Sequence, residues 1–187
     1  MKERTTHLLI LVLAMIGIFV AGALFDVDHH TVTLPKEKAK AATVGENKFL
    51  PNPTMTPGGR FPRVTKEQIC TVGYTKTVRD VKESKKKAVF ELYKWDRKGD
   101  QYEVDHLISL QLGGNNDIGN LWPQSYTTQP WNAKVKDKLE NKLNDEVCKN
   151  RLSMKEAQRL ISTDWISTYC MYYDDKQEEC KTYKENK

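Results

Sequence analysis

The apolar periodicity changes twice within a short span near the middle of the chain, and this constrains the fold more than any other feature. Across residues 102–112, Tyr102, Val104, Ile108, Leu110 and Leu112 share one parity, the pattern of an extended strand. Gly113, Gly114, Asn115, Asn116 and Asp117 then supply a loop, and Asn120, Leu121 and Trp122 a second short strand. From Pro130 to about Asn150 the spacing becomes four, with Val135, Leu139, Leu143 and Val147 marking the buried stripe of a helix. Strand, loop, strand and helix in this order predict an α+β domain.

Helices flank this core. Thr65 with Gln68 has the form of a capping box opening a short helix with Ile69 and Cys70, and residues 74–81 and 84–95 read as helical too. Val89, Phe90 and Tyr93 give the second of these an apolar face behind Lys85, Lys86 and Lys87. Ser153 with Glu156 is another capping box. It opens a helix that turns Ala157, Leu160, Ile161 and Trp165 inward and reaches about Tyr169. The tail, 171–187, is charged and expected to fray.

Before the domain, residues 8–25 form an uncharged apolar run with Lys2 and Arg4 ahead of it and Asp26 and Asp28 behind. This N-terminal hydrophobic helix has the length of a short membrane span, and the charge bias directs the rest of the chain out of the cytoplasm. Ala21, Gly22 and Ala23 also form a small-residue cleavage pattern. The expected organisation is a signal anchor or signal peptide over 1–25, a flexible tether over 26–60, the domain over 61–170 and the tail. Pro51, Pro53, Pro57, Gly58 and Gly59 give the tether its composition. Among 187 residues there are four cysteines, Cys70, Cys148, Cys170 and Cys180, none in a Cys-x-x-Cys pair. In an exported protein they read as disulfides. Three pairings are open. Cys70–Cys148, pinning the early helices to the helix after the motif, together with Cys170–Cys180, is the favoured one.

The chemistry concentrates at Asp105 and His106. A carboxylate can hold a divalent cation, and a neutral imidazole can take a proton from an attacking water. The two residues differ in parity, so a flat strand would point them to opposite faces and the chain must bend or bulge there. A histidine on an apolar strand can equally be a core residue. The formal charge of +5 is a mild excess, compatible with a polyanionic substrate but not specific for one. Basic residues along the last two helices, from Lys134 to Arg159, could form a phosphate-binding surface. No base-reading element is apparent.

Tyr102, Glu103, Val104, Asp105 and His106, then Leu112, Gly113 and Gly114, then Asn120, Leu121, Trp122, Pro123 and Gln124 resemble the HNH, or ββα-metal, endonuclease motif in its Asp-His…Asn…Asn variant. A looser likeness to exported bacterial members spans residues 51–169. Ser109 stands where resembling families often carry proline. The resemblance implies a small ββα-metal core with flanking helices and a DNA phosphodiesterase of little sequence specificity, leaving a 3′-hydroxyl and a 5′-phosphate. It implies His106 as general base, Asn120 as the residue tying the loop that holds it, and Asp105 and Asn132 as ligands of one divalent cation. No histidine follows His106, which favours Mg2+, with Mn2+ as alternative, over zinc. Asn132 reads equally as a helix N-cap. Lys136 and Arg79 are candidate phosphate contacts, with a Lys136–Glu140 salt bridge and an Arg79–Glu103 pair as the plainer readings. The alternatives are RNA as substrate, or an inactive module of the same fold that binds nucleic acid or a protein partner outside the cytoplasm.

Overall fold

The computed structural model describes residues 49–97 and 101–187. The leader and most of the tether lie outside the described residues. Helices α1 (Lys66–Ile69), α2 (Tyr74–Val78) and α3 (Glu83–Tyr93) precede strands β1 (Tyr102–His106) and β2 (Leu121–Ser125). Helices α4 (Ala133–Cys148), α5 (Met154–Tyr172) and α6 (Gln177–Glu185) follow. The fold is α+β, with β1 and β2 paired antiparallel as a two-stranded sheet. None of the described helices is long and apolar enough to cross a membrane.

Two apolar clusters organise these elements. Leu139, Leu143 and Val147 of α4, spaced as the periodicity requires, pack against Ile161, Trp165 and Tyr169 of α5. Val89 and Tyr93 of α3 pack against Leu107, Leu121 and Trp122 at the sheet. Both halves of the Thr65–Gln68 capping box form. At α5 the Ser153 hydroxyl accepts from the Glu156 N–H, while the Glu156 side chain pairs with Arg159 instead of closing the box. Midway along α5 the backbone of Asp164 leaves the helix, and its carboxylate accepts from the Ser167 N–H and hydroxyl, capping the second half.

The first strand is shorter than its apolar parity implies. Pairing is regular through Asp105↔Trp122 and His106↔Leu121 with no bulge, and the chain leaves the ladder only after His106. Leu110–Leu112 is a 3-10 turn, whose first N–H groups the Ser109 hydroxyl helps to satisfy by accepting from Gln111 N–H. Leu110 and Leu112 are nevertheless buried, so apolar residues at alternate positions here serve a turn rather than a strand. The bend expected at residues 105 and 106 is therefore absent: both stay in the regular ladder, their side chains leave opposite faces of the sheet, and the chain turns only after His106.

The ends of the domain are held more firmly than composition suggests. Residues 49–60 wrap the motif instead of leaving it as a tether. Trp165 Nε1 donates to the Phe49 carbonyl at 2.9 Å, and the Gly58 N–H to the Gly119 carbonyl at 2.9 Å. The buried Thr56 hydroxyl bridges Tyr93 and the Leu121 carbonyl. At the other end α6 is anchored rather than frayed: Cys180 is buried, and Tyr183 and Lys187 both reach the Asp164 carboxylate. Disulfides join Cys70 to Cys148 and Cys170 to Cys180, the favoured pairing. They tie α1 to α4 and α5 to α6 and fit an oxidising, extracytoplasmic compartment.

Candidate active site

Asn120 is the pivot. Fully buried at the end of a short turn before β2, its Oδ1 accepts from Ile108 N–H at 2.9 Å and Gly59 N–H at 3.1 Å. Its Nδ2 donates to the carbonyls of Ile108 at 3.0 Å and Asn115 at 2.8 Å. One amide therefore supplies the partners that residue 108 would have found in a longer strand. It fixes the turn after His106, because a carboxamide has two acceptor lone pairs and two N–H donors and so serves all four groups at once. The neighbouring glycine is required by space: a Cβ at Gly114 would lie 1.7 Å from the Ile108 oxygen. Asn120 thus ties together the loop that follows His106.

His106 ends β1 and is 3% exposed. Its Nε2 lies 3.0 Å from Asn116 Oδ1. The Asn116 Nδ2 donates to the Val78 carbonyl, which orients the amide so that Oδ1 faces the imidazole. An acceptor there holds the ring proton on Nε2 and leaves Nδ1 as the basic nitrogen. Burial pushes the imidazole pKa down to about 4; the Asn116 bond opposes this, while the charges of Arg79 and Lys136 add to it. The ring is therefore neutral at pH 7. Asn116 carries no signal of this role in the sequence beyond its place in an Asn-rich loop.

Asp105 faces α4. Lys136, one turn inside that helix and fully buried, places its Nζ 2.7 Å from Asp105 Oδ2. The same ammonium contacts Glu140 Oε1 and donates to the His106 carbonyl at 2.7 Å. Ser109, in the position expected of a proline, donates to Glu140 Oε2 at 2.7 Å. Lys136 therefore forms the expected pair with Glu140. Its ammonium lies in a cage of three oxygens and does not reach outward to a phosphate. Glu140 is likewise committed, to Lys136 and Ser109. Burial alone would depress the lysine pKa, but the Asp105 and Glu140 carboxylates outweigh it and hold the ammonium charged. The Asp105 Oδ2 is buried, and the Lys136 ammonium is its partner.

Asn132 is the N-cap of α4. Its Oδ1 accepts from Val135 N–H at 3.2 Å, and its Nδ2 donates to the Thr128 carbonyl at 3.1 Å. The amide oxygen expected on a cation is thus occupied by the helix terminus. Among the described residues no three His, Cys, Asp or Glu side chains cluster to hold a metal. What remains is the Asp105 carboxylate, whose Oδ2 is held by the Lys136 ammonium, which leaves Oδ1 as the oxygen to meet a cation. One carboxylate suits Mg2+, which keeps several waters and completes its shell with substrate phosphate. It does not suit zinc, whose sites supply three or four protein ligands, mostly nitrogen or sulfur.

Along the preceding residues of β1 lies a cavity of 480 Å3, lined in part by Arg79, Lys86, Arg97, Tyr102, Glu103 and Tyr126 but not by Asp105 or His106. Glu103 Oε2 accepts from the Tyr126 hydroxyl at 2.8 Å. Burial, with the nearby Asp105 charge, raises the Glu103 pKa to about 7. Arg79 is exposed and makes no hydrogen bond or ion pair with any described residue, and no Arg79–Glu103 pair forms. Its charge nevertheless acts on both His106 and Asp137. The basic surface expected along the last two helices is largely neutralised by its own acids. Lys138 pairs with Asp175, Lys142 with Glu146, Lys149 with Asp145, Arg151 with Asp145 and Glu146, and Arg159 with Glu156. Comparison of the chain with protein-family models, curated proteins and solved structures gave no match.

Proposed function

We propose that this protein is an extracytoplasmic, metal-dependent endonuclease of the HNH type that hydrolyses DNA phosphodiester bonds with little sequence specificity. The observation that carries the reading is the state of His106: a neutral ring whose proton Asn116 holds on Nε2, leaving Nδ1 to accept one. Nδ1 takes the proton of a water as its oxygen attacks phosphorus; the P–O3′ bond breaks, and the departing oxygen is protonated by solvent to the 3′-hydroxyl. Arg79, uncommitted among the described residues and close enough for its charge to act on His106, would bind the phosphate. The phosphate charge, once bound, raises the imidazole's basicity from its low resting value. Asp105 would hold Mg2+, which when bound supplies positive charge to the phosphate oxygens. Lys136 and Glu140 hold the strand end and α4 in fixed relation beneath it. The N-terminal segment would anchor the domain outside the membrane or be removed on export.

A second reading is favoured by one observation. The Lys136 ammonium already neutralises Asp105, which suits a domain that binds nucleic acid without cutting it. Incubating the full-length protein with supercoiled plasmid and with RNA, in Mg2+, Mn2+ or excess chelator, separates the readings. The endonuclease nicks DNA in Mg2+ or Mn2+ and stops in chelator, and Asp105→Asn abolishes nicking. Retention of both nucleic acids with no cleavage in either metal would establish the binding module instead; faster cleavage of RNA would change the substrate.

A further inference from the structure

We infer that the cavity along Tyr102, Glu103 and Val104, the strand residues directly before Asp105, receives one unpaired nucleotide, so that the favoured substrate is single-stranded or locally melted DNA. The inference rests on the nuclease reading and names the form of substrate it takes. Tyr102, Glu103 and Val104 of β1 form one wall, and Asp105 follows directly in the same strand. The far end of that wall is therefore within about 10 Å of Asp105 along the strand. Tyr102 and Tyr126 supply aromatic surface on which a base can stack, and stacking is indifferent to sequence. Tyr126 bonds to Glu103 Oε2, which leaves Oε1 to meet the edge of a base.

The cations in the same recess are placed for the flanking phosphates. Arg79 is uncommitted among the described residues. Arg97 touches Glu83, and Lys86 stands 3.7 Å from the same carboxylate. Both are exposed pairs of the kind a phosphate readily replaces. A paired base offers only its groove edges and cannot enter a recess; an extruded or unpaired one can. Charge alone would favour the duplex, whose phosphates are denser, so a preference for single strands is the signature of the recess itself.

The test uses the full-length protein and three oligonucleotides of one sequence at one salt concentration: single strand, duplex with a central bubble, and perfect duplex. Fluorescence anisotropy with His106→Ala reads binding, and wild-type protein in Mg2+ reads cleavage. The single strand and the bubble should bind and be cut about tenfold better than the duplex, the contribution of one stacked base. Tyr102→Leu, with thermal unfolding matched to the parent, should erase that ratio while leaving duplex binding unchanged; should it unfold, Tyr126→Leu, which removes the other stacking ring, provides the second variant and should reduce the ratio. Equal or better binding and cleavage of the perfect duplex would overturn the inference and leave the nuclease standing. Single-strand preference in binding with no cleavage of any form would overturn the nuclease and leave the recess.

Discussion

Replacing Lys136 by Met is the perturbation that most sharply separates a structural cage from a surface cation. The side chain is fully buried, and its ammonium serves Asp105, Glu140 and the His106 carbonyl together. Met keeps the stem's volume and removes the charge. The Asp105 and Glu140 side chains, only 12% and 9% exposed, would then face each other with no cation between them. Removing one partner of such a buried pair typically costs about 3–5 kcal/mol, because the remaining charge is left uncompensated. For a domain of this size that is a fall in Tm of about 10 °C. Adding Glu140→Gln removes one of the stranded charges while keeping an oxygen for the Ser109 hydroxyl. The double variant should therefore be more stable than Lys136→Met alone by about 1–2 kcal/mol. Urea unfolding of the four proteins of the cycle, followed by tryptophan fluorescence, measures this. A loss below 1 kcal/mol for Lys136→Met, or a double variant that simply sums two losses, would refute the cage.

Asn120→Ala strands two backbone N–H groups and two carbonyls, at about 1–3 kcal/mol each, and should fail to fold or lose more than 4 kcal/mol in urea titration. The Cys70–Cys148 bridge closes 78 residues and Cys170–Cys180 only 10, so replacing the first pair by Ala should cost about 2 kcal/mol more than replacing the second. Burial pushes the Asp164 pKa up, but the Lys187 ammonium and the Ser167 N–H and hydroxyl outweigh it and hold the folded value below normal. The stability this group contributes is complete above the unfolded carboxylate pKa and is lost as pH falls through the lower folded one. Urea midpoints measured below pH 5 should therefore drop less steeply in Asp164→Asn than in the parent.

The sequence announces the element order because each element has a face to bury: four-residue spacing in α4, and the cap residues Thr65, Ser153 and Asn132 at helix starts. It misplaces the end of β1 because Ile108, Leu110 and Leu112 are buried at alternate positions in a turn as they would be in a strand. Only Asn120, twelve residues on from Ile108, explains how that turn is satisfied. Asp105, His106 and Asn120 are legible from their adjacency and spacing. The actual state of the site is not, because it depends on partners distant in the chain. Asn116 orients the imidazole, Lys136 fills the space beside Asp105, and Tyr126 meets Glu103 across the sheet. The wrap of residues 49–60 is hidden for a similar reason. A segment rich in Pro and Gly looks like a linker, and its hold on the domain comes from backbone groups, Thr56 and the Trp165 indole.

Single-turnover cleavage of a DNA strand in saturating Mg2+, by wild-type protein and by His106→Ala with unchanged thermal unfolding, is the most direct test. If Nδ1 of His106 takes the proton of the attacking water, the variant binds DNA as before and cuts it about 100-fold to 10,000-fold more slowly. Equal cleavage rates for the two proteins would contradict the account.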